Sequence, residues 1–167
     1  GANGSSLTIA SVISGNGFAL SKTGAGTLNL SGINTFNGGL TLKAGTVIGT
    51  VSASVFGAGT ITLGDTTGSN SATLQVNTTG LTYANAIALA AGGTGALTIG
   101  TPVNAAAVAA TFSGGVTGAN NLTINNQSLS GTTTFSVNAV NNAGTITNSS
   151  TSTGTVTISG GIGANVT

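Results

Sequence analysis

Short apolar–polar–apolar triplets recur along the whole chain: Leu7-Thr8-Ile9, Leu28-Asn29-Leu30, Leu40-Thr41-Leu42, Ile61-Thr62-Leu63, Leu74-Gln75-Val76, Ile87-Ala88-Leu89, Leu97-Thr98-Ile99, Leu122-Thr123-Ile124, Phe135-Ser136-Val137 and Val156-Thr157-Ile158. In an extended chain successive side chains point to opposite faces, so the outer residues of each triplet share one face and the middle residue takes the other. Each run therefore has an apolar face and a small or polar face, and Gly or Asn closes most runs. A sustained apolar spacing of 3.6 is missing, as are the helix formers Glu, Arg and Met. The pattern predicts an all-β chain. Asn104–Ala110 (NAAAVAA), after Pro102, reads as a buried small-residue strand, with a short helical turn as the alternative.

The runs are also self-similar. Gly26-Thr27-Leu28-Asn29-Leu30-Ser31-Gly32 matches Gly154-Thr155-Val156-Thr157-Ile158-Ser159-Gly160, and the segments at 59–64 and 95–100 are looser copies. A degenerate repeat of short strands is the mark of a solenoid, in which no coil buries its apolar face alone but stacked coils share a core. A β-sandwich has similar strand spacing, but its core is filled by large residues meeting across roughly 10 Å, and this chain has five Phe, one Tyr and no Trp. The Asn-Gly pairs at 3–4, 16–17 and 37–38 suit two-residue hairpins as well as solenoid corners that need positive φ. The reading is a parallel β-solenoid over residues 1–167, a single domain or a segment of a longer solenoid. Coils of roughly 20 residues would give about eight rungs and a rod near ~40 Å long.

Composition then narrows function. Lys22, Lys43 and Asp65 are the only charged residues, 2% of the chain, and His and Cys are absent. General acid–base catalysis, zinc ligation and phosphate neutralisation each need residues that this chain lacks or has only singly. No catalytic, cofactor-binding or metal-ligating residue is assigned, no cofactor is implied, and nucleic acid is excluded as a partner. Lys22 and Lys43, 21 residues apart, read as caps of solvent-facing corners, with an anionic-ligand patch as the alternative. Asp65, in Gly64-Asp65-Thr66-Thr67-Gly68, reads as a turn residue bonding nearby backbone, with calcium as the alternative. Thr-x-Thr pairs such as Thr60–Thr62 and Thr155–Thr157 are irregularly spaced, so strand propensity explains them better than an ice-ordering array does. No stretch of about 20 apolar residues crosses a membrane. The first residues, Gly-Ala-Asn-Gly, carry no basic leader, which suggests a removed leader or an internal fragment.

One segment is more specific. It reads Lys22-Thr23-Gly24-x-Gly26-Thr27-Leu28-x-Leu30-Ser31-Gly32, then Asn34-Thr35-Phe36-x-Gly38-Gly39, then Ala44-Gly45-Thr46-Val47. Residues 20–47 closely resemble the autotransporter-associated β-strand repeat of bacterial type V passenger regions, with Phe36 and Leu40 standing where that family often has Tyr and Thr. The resemblance implies a right-handed parallel β-helix on a bacterial surface and brings no catalytic residues. The expected role is a non-catalytic structural or adhesive stalk segment of an extracellular, cell-surface protein. The alternative is a self-assembling extracellular filament subunit. Its partners would be copies of itself stacked head to tail, or the rest of a longer chain. Neither Gly1–Ser6 nor Gly160–Thr167 reads as a cap over an open solenoid end, so head-to-tail association is expected.

Overall fold

The computed structural model describes residues 4–167, so Asn3 of the first Asn-Gly pair lies outside the described residues. Those residues form a β-solenoid of about six turns, with no helix and only parallel pairing. Numbered along the chain, sheet 1 has seven strands: β1 (Ser6–Ile9), β3 (Thr27–Leu30), β5 (Gly45–Gly49), β7 (Ala72–Val76), β10 (Leu97–Gly100), β13 (Leu122–Asn125) and β15 (Ile146–Asn148). Sheet 2 has four: β8 (Leu81–Tyr83), β11 (Ala110–Phe112), β14 (Thr132–Phe135) and β16 (Thr155–Ile158). Sheet 3 has five: β2 (Leu20–Lys22), β4 (Leu40–Leu42), β6 (Ile61–Leu63), β9 (Ile87–Leu89) and β12 (Val116–Gly118). The first three coils pass from sheet 1 to sheet 3 with no strand between, and from β7 onward each coil visits sheets 1, 2 and 3 in that order. Single bridges, Val116 to Val140 and Val140 to Ile162, carry sheet 3 on to the last coil.

Register converts sequence repeats into columns. Down sheet 1 the column runs Leu7, Leu28, Val47, Leu74, Ile99, Ile124, Asn148. Its steps are 21, 19, 27, 25, 25 and 24 residues. The first two coils keep the predicted length of roughly 20 residues and the later four are longer, so the eight expected rungs become about six turns, roughly 30 Å of rod at ~4.8 Å per coil. The extra residues lie in the corners. The column of sheet 3 runs Leu20, Leu40, Ile61, Ile87, Val116, Val140, Ile162. All the predicted inward residues from Leu28 to Ile124 are buried; Val156 and Ile158, in the last coil, are partly buried because no further coil covers them.

Nine of the ten triplets lie in strands. The tenth, Phe135-Ser136-Val137, does not: β14 stops at Phe135, and Val137 turns outward at φ 67° with 78% exposure. The chain has to round the corner between sheets 2 and 3 there, and the alternation is too local a signal to show it. The strand expected at Asn104–Ala110 is likewise a corner between sheets 1 and 2. Asn104 sits at φ 57°, the Ala105 N–H donates to the Pro102 carbonyl, and only Ala110 belongs to a strand. Ala105 and Val108 are buried at that corner. Parallel pairing throughout makes the Asn-Gly pairs at 16–17 and 37–38 corners rather than hairpins.

Candidate functional site

The chemistry-bearing side chains gather on the corner between sheets 3 and 1. Lys22 ends β2, Lys43 follows β4, and Asp65 lies two residues beyond β6, in three successive coils. The Lys22 ammonium donates to the carbonyls of Thr23 (3.1 Å), Gly24 (2.5 Å) and Ala44 (3.0 Å). These acceptors favour its charge, while burial opposes it and leaves its pKa below the ordinary lysine value. Lys43 Nζ lies 3.4 Å from Asp65 Oδ1, both side chains being partly exposed. The same Oδ1 accepts the Thr66 N–H at 2.8 Å, the turn bond expected of Asp65. All three charges are thus engaged within the corner, one ammonium by carbonyls and the other by a carboxylate, and the two lysines do not form an open cationic patch.

Among the described residues no three His, Cys, Asp or Glu side chains cluster. A recess of about 370 Å³ opens at the first coil, floored by Leu7, Ile9, Leu20 and Leu28 with Lys22 and Ser5 at its rim. It is the open cross-section of the core: Leu7 is 60% exposed there, whereas Leu30, one coil further in beside Leu28, is fully buried.

The most elaborate polar arrangement is built from asparagines at the corners. Asn126, fully buried just after β13, donates through Nδ2 to the carbonyls of Gly131 (3.0 Å) and Thr155 (2.7 Å). Its Oδ1 accepts the Thr101 hydroxyl (3.0 Å) and the Ser128 N–H (3.1 Å). One side chain therefore ties together three successive coils. Asn34 does the same near the other end, accepting from the Ile13 N–H (2.8 Å) and donating to the Val55 carbonyl (2.6 Å). Asn85 donates to the Gly57 and Gly59 carbonyls. A corner turns strand backbone away from its ladder, and a buried amide with two donors and an acceptor repairs several lost bonds at once. Sequence reading did not single these residues out. The available signal was faint: an Asn one to four residues past a strand, in a chain with 18 Asn.

A second set of corner residues explains a sequence motif. Gly45 has φ 76°, and a Cβ there would lie 2.5 Å from the Gly24 carbonyl oxygen of the coil beside it. Gly39 has φ 97°, and a Cβ there would lie 2.6 Å from the Thr60 carbonyl oxygen. Both positions exclude any side chain on two grounds, backbone conformation and coil-to-coil contact.

Residues 20–48 match the family model of the passenger-associated-transport-repeat. The matched segment runs from β2 through β3 and β4 to β5, ending one residue short of the β5 terminus. It contains Lys22 with its carbonyl acceptors, Asn34, Gly39 and Gly45, so the residues that make the repeat recognisable are those that hold one coil against the next. The match and the parallel solenoid together fit an autotransporter passenger repeat protein. Comparison with curated proteins and with solved structures found no match.

Proposed function

We propose that this chain is a non-catalytic structural segment of an extracellular passenger, a stiff stalk that holds an adhesive or displayed element away from a bacterial surface. The observation that carries this reading is the continuity of the coil stack: the passenger-associated-transport-repeat at 20–48 is one part of a core that runs uninterrupted through about six turns. Stiffness follows from that geometry, since bending the rod would have to break parallel ladders on one of three sheets and open a close-packed interior. The engagement of all three charged side chains within one corner supports a structural role for them.

The test is surface exposure in cells that make the protein. An antibody against the purified chain should label intact cells, and a protease that cannot enter the cell should remove the label. Labelling that appears only after permeabilisation would overturn the extracellular assignment. Hydrolysis or transfer chemistry traced to the purified chain would overturn the structural one.

A further inference from the structure

Two Asn-Gly pairs, Asn16-Gly17 and Asn37-Gly38, stack in successive coils, shortly before β2 and β4, and all four residues are exposed. Asn-Gly is the dipeptide most open to deamidation, because glycine carries no side chain to hinder its own amide nitrogen. That nitrogen gives up its proton and bonds to the asparagine Cγ. The Cγ–Nδ2 bond breaks, and ammonia leaves with the proton. Water then opens the resulting succinimide to aspartate or isoaspartate.

Coil packing fixes both partners of each pair. Gly17 has φ 79°, in the left-handed region. A Cβ on Gly38 would lie 2.6 Å from the Phe18 carbonyl oxygen and 2.7 Å from that of Gly17. The asparagines clasp the two coils: Asn37 Oδ1 accepts the Gly17 N–H at 2.6 Å, and Asn37 Nδ2 donates to Asn16 Oδ1 at 2.7 Å. The fold thus demands a labile dipeptide twice in one solvent-facing corner.

The same bonds hold the reaction closed. The nitrogen that would attack Asn16 is that of Gly17, and its N–H is donated to Asn37 Oδ1. The nitrogen that would attack Asn37 is that of Gly38, and its N–H is donated to the Phe18 carbonyl at 2.9 Å. Attack requires each nitrogen to leave its bond and turn toward Cγ, so both rates follow the local parting of the first two coils. The two locks differ in kind. Gly17 is held by a side chain, Gly38 by backbone. Isoaspartate would add a carbon to the main chain just before β2 or β4, and so disturb the register of Leu20 on Leu40.

We propose that Asn16-Gly17 is a latent self-modification site that the Asn37 side chain holds shut, and that Asn37-Gly38 is a second one held shut by the Phe18 carbonyl. The corner stays chemically unchanged while the two coils are in contact and converts irreversibly when they part. This inference rests on the corner geometry and is independent of the surface-stalk reading.

Peptide mapping by mass spectrometry after incubation in mildly alkaline buffer tests it, with the deamidated fraction read separately at Asn16 and Asn37. Both sites should react more slowly in the folded parent than in the chain unfolded by guanidinium. Asn37→Ala frees the Gly17 N–H and should speed deamidation at Asn16 by roughly three- to tenfold, the factor that follows from losing one hydrogen bond. Asn16→Ala leaves the Gly38 bond in place, so Asn37 should keep its parent rate. Dichroism and melting show whether each variant keeps the parent fold. Hydrogen exchange on the unmodified protein adds a measurement that needs no variant: the Gly17 and Gly38 amides should both be protected. Folded and unfolded chains that deamidate alike, unprotected Gly17 or Gly38 amides, a folded Asn37→Ala protein with Asn16 at the parent rate, or equal acceleration of Asn37 by Asn16→Ala overturns the proposal.

Discussion

Tyr83 and Phe112 stack one coil apart in the core, with ring centroids 5.6 Å apart and planes inclined by 28°. They are the middle of a spine that begins at Phe56, 5.5 Å from Tyr83, and continues to Phe135, 5.4 Å beyond Phe112. Register places Phe112 on Tyr83, Phe135 on Phe112, and Ile158 at the end of the row. The residues are 23 to 29 positions apart in sequence, yet they form one continuous aromatic column. Stacked aromatic pairs contribute about 0.5–1.5 kcal/mol beyond the area that they bury.

Within this spine the Tyr83 hydroxyl is buried with no hydrogen-bond partner in the protein. Tyr83→Phe removes that unsatisfied group and keeps the ring, so denaturant unfolding should show stability unchanged or raised by about 1 kcal/mol. Tyr83→Ala breaks the column and should cost roughly 3–5 kcal/mol. A Phe variant as damaging as the Ala variant would show that the hydroxyl holds a bond.

The same hydroxyl predicts an alkaline limit. Burial pushes its pKa up from 10.0 to about 12. Between those values the unfolded chain loses a proton that the folded chain keeps, so stability falls as pH rises through that window, by roughly 2–3 kcal/mol at its upper end. Lys22 has the opposite sign: its lowered folded pKa means that the unfolded chain binds more protons, so its contribution rises with pH up to the ordinary value of 10.5. The melting temperature should therefore be nearly flat through neutral pH and drop above about pH 10. Tyr83→Phe should lose most of the drop.

Asn126→Ala should be among the costliest polar substitutions. It leaves the Gly131 and Thr155 carbonyls and the Thr101 hydroxyl without the partner seen here, at about 1–3 kcal/mol for each buried group left unpaired. Asn126→Asp retains the acceptor and loses the Nδ2 donors, so it should not rescue stability. Melting curves of the two variants compare directly with the parent.

Leu30 is fully buried in β3. Leu30→Ala should cost about 2–5 kcal/mol, and Leu30→Asp should prevent a cooperative transition. An Asp variant that melts like the parent would reverse the assignment of the inward face.

Gly39→Ala should destabilise by more than about 1 kcal/mol, since φ is 97° and the added Cβ meets the Thr60 carbonyl. Lys43→Ala, by contrast, breaks only a partly exposed ion pair and should move stability by less than about 1 kcal/mol.

The inward and outward faces of nine of the sixteen strands, the all-β class and the stacking of coils were legible in the residues themselves. Side-chain alternation is set by the backbone of one strand, so Leu28-Asn29-Leu30 declares its faces without reference to anything distant. The repeat over residues 20–47 was legible because its glycines mark coil contacts that recur at short range. Strands β2, β5, β8, β11, β12 and β15 were not among the triplets read, although Leu81-Thr82-Tyr83 and Ala110-Thr111-Phe112 alternate as those triplets do; β2, β12 and β15 end on Lys22, Gly118 and Asn148, where the outer apolar residue is missing. Val137 was misplaced because the strand pattern does not show where a corner begins. Coil length, and with it the number of turns, was settled only in three dimensions, where a full coil runs from 19 to 29 residues because its corners vary in length without a periodic signal. The same holds for the aromatic spine, the carbonyl nest around Lys22 and the Asn126 hub. Each joins residues whose partners lie a coil away, and a sequence states which face a side chain takes but not which neighbour the corner will bring beneath it.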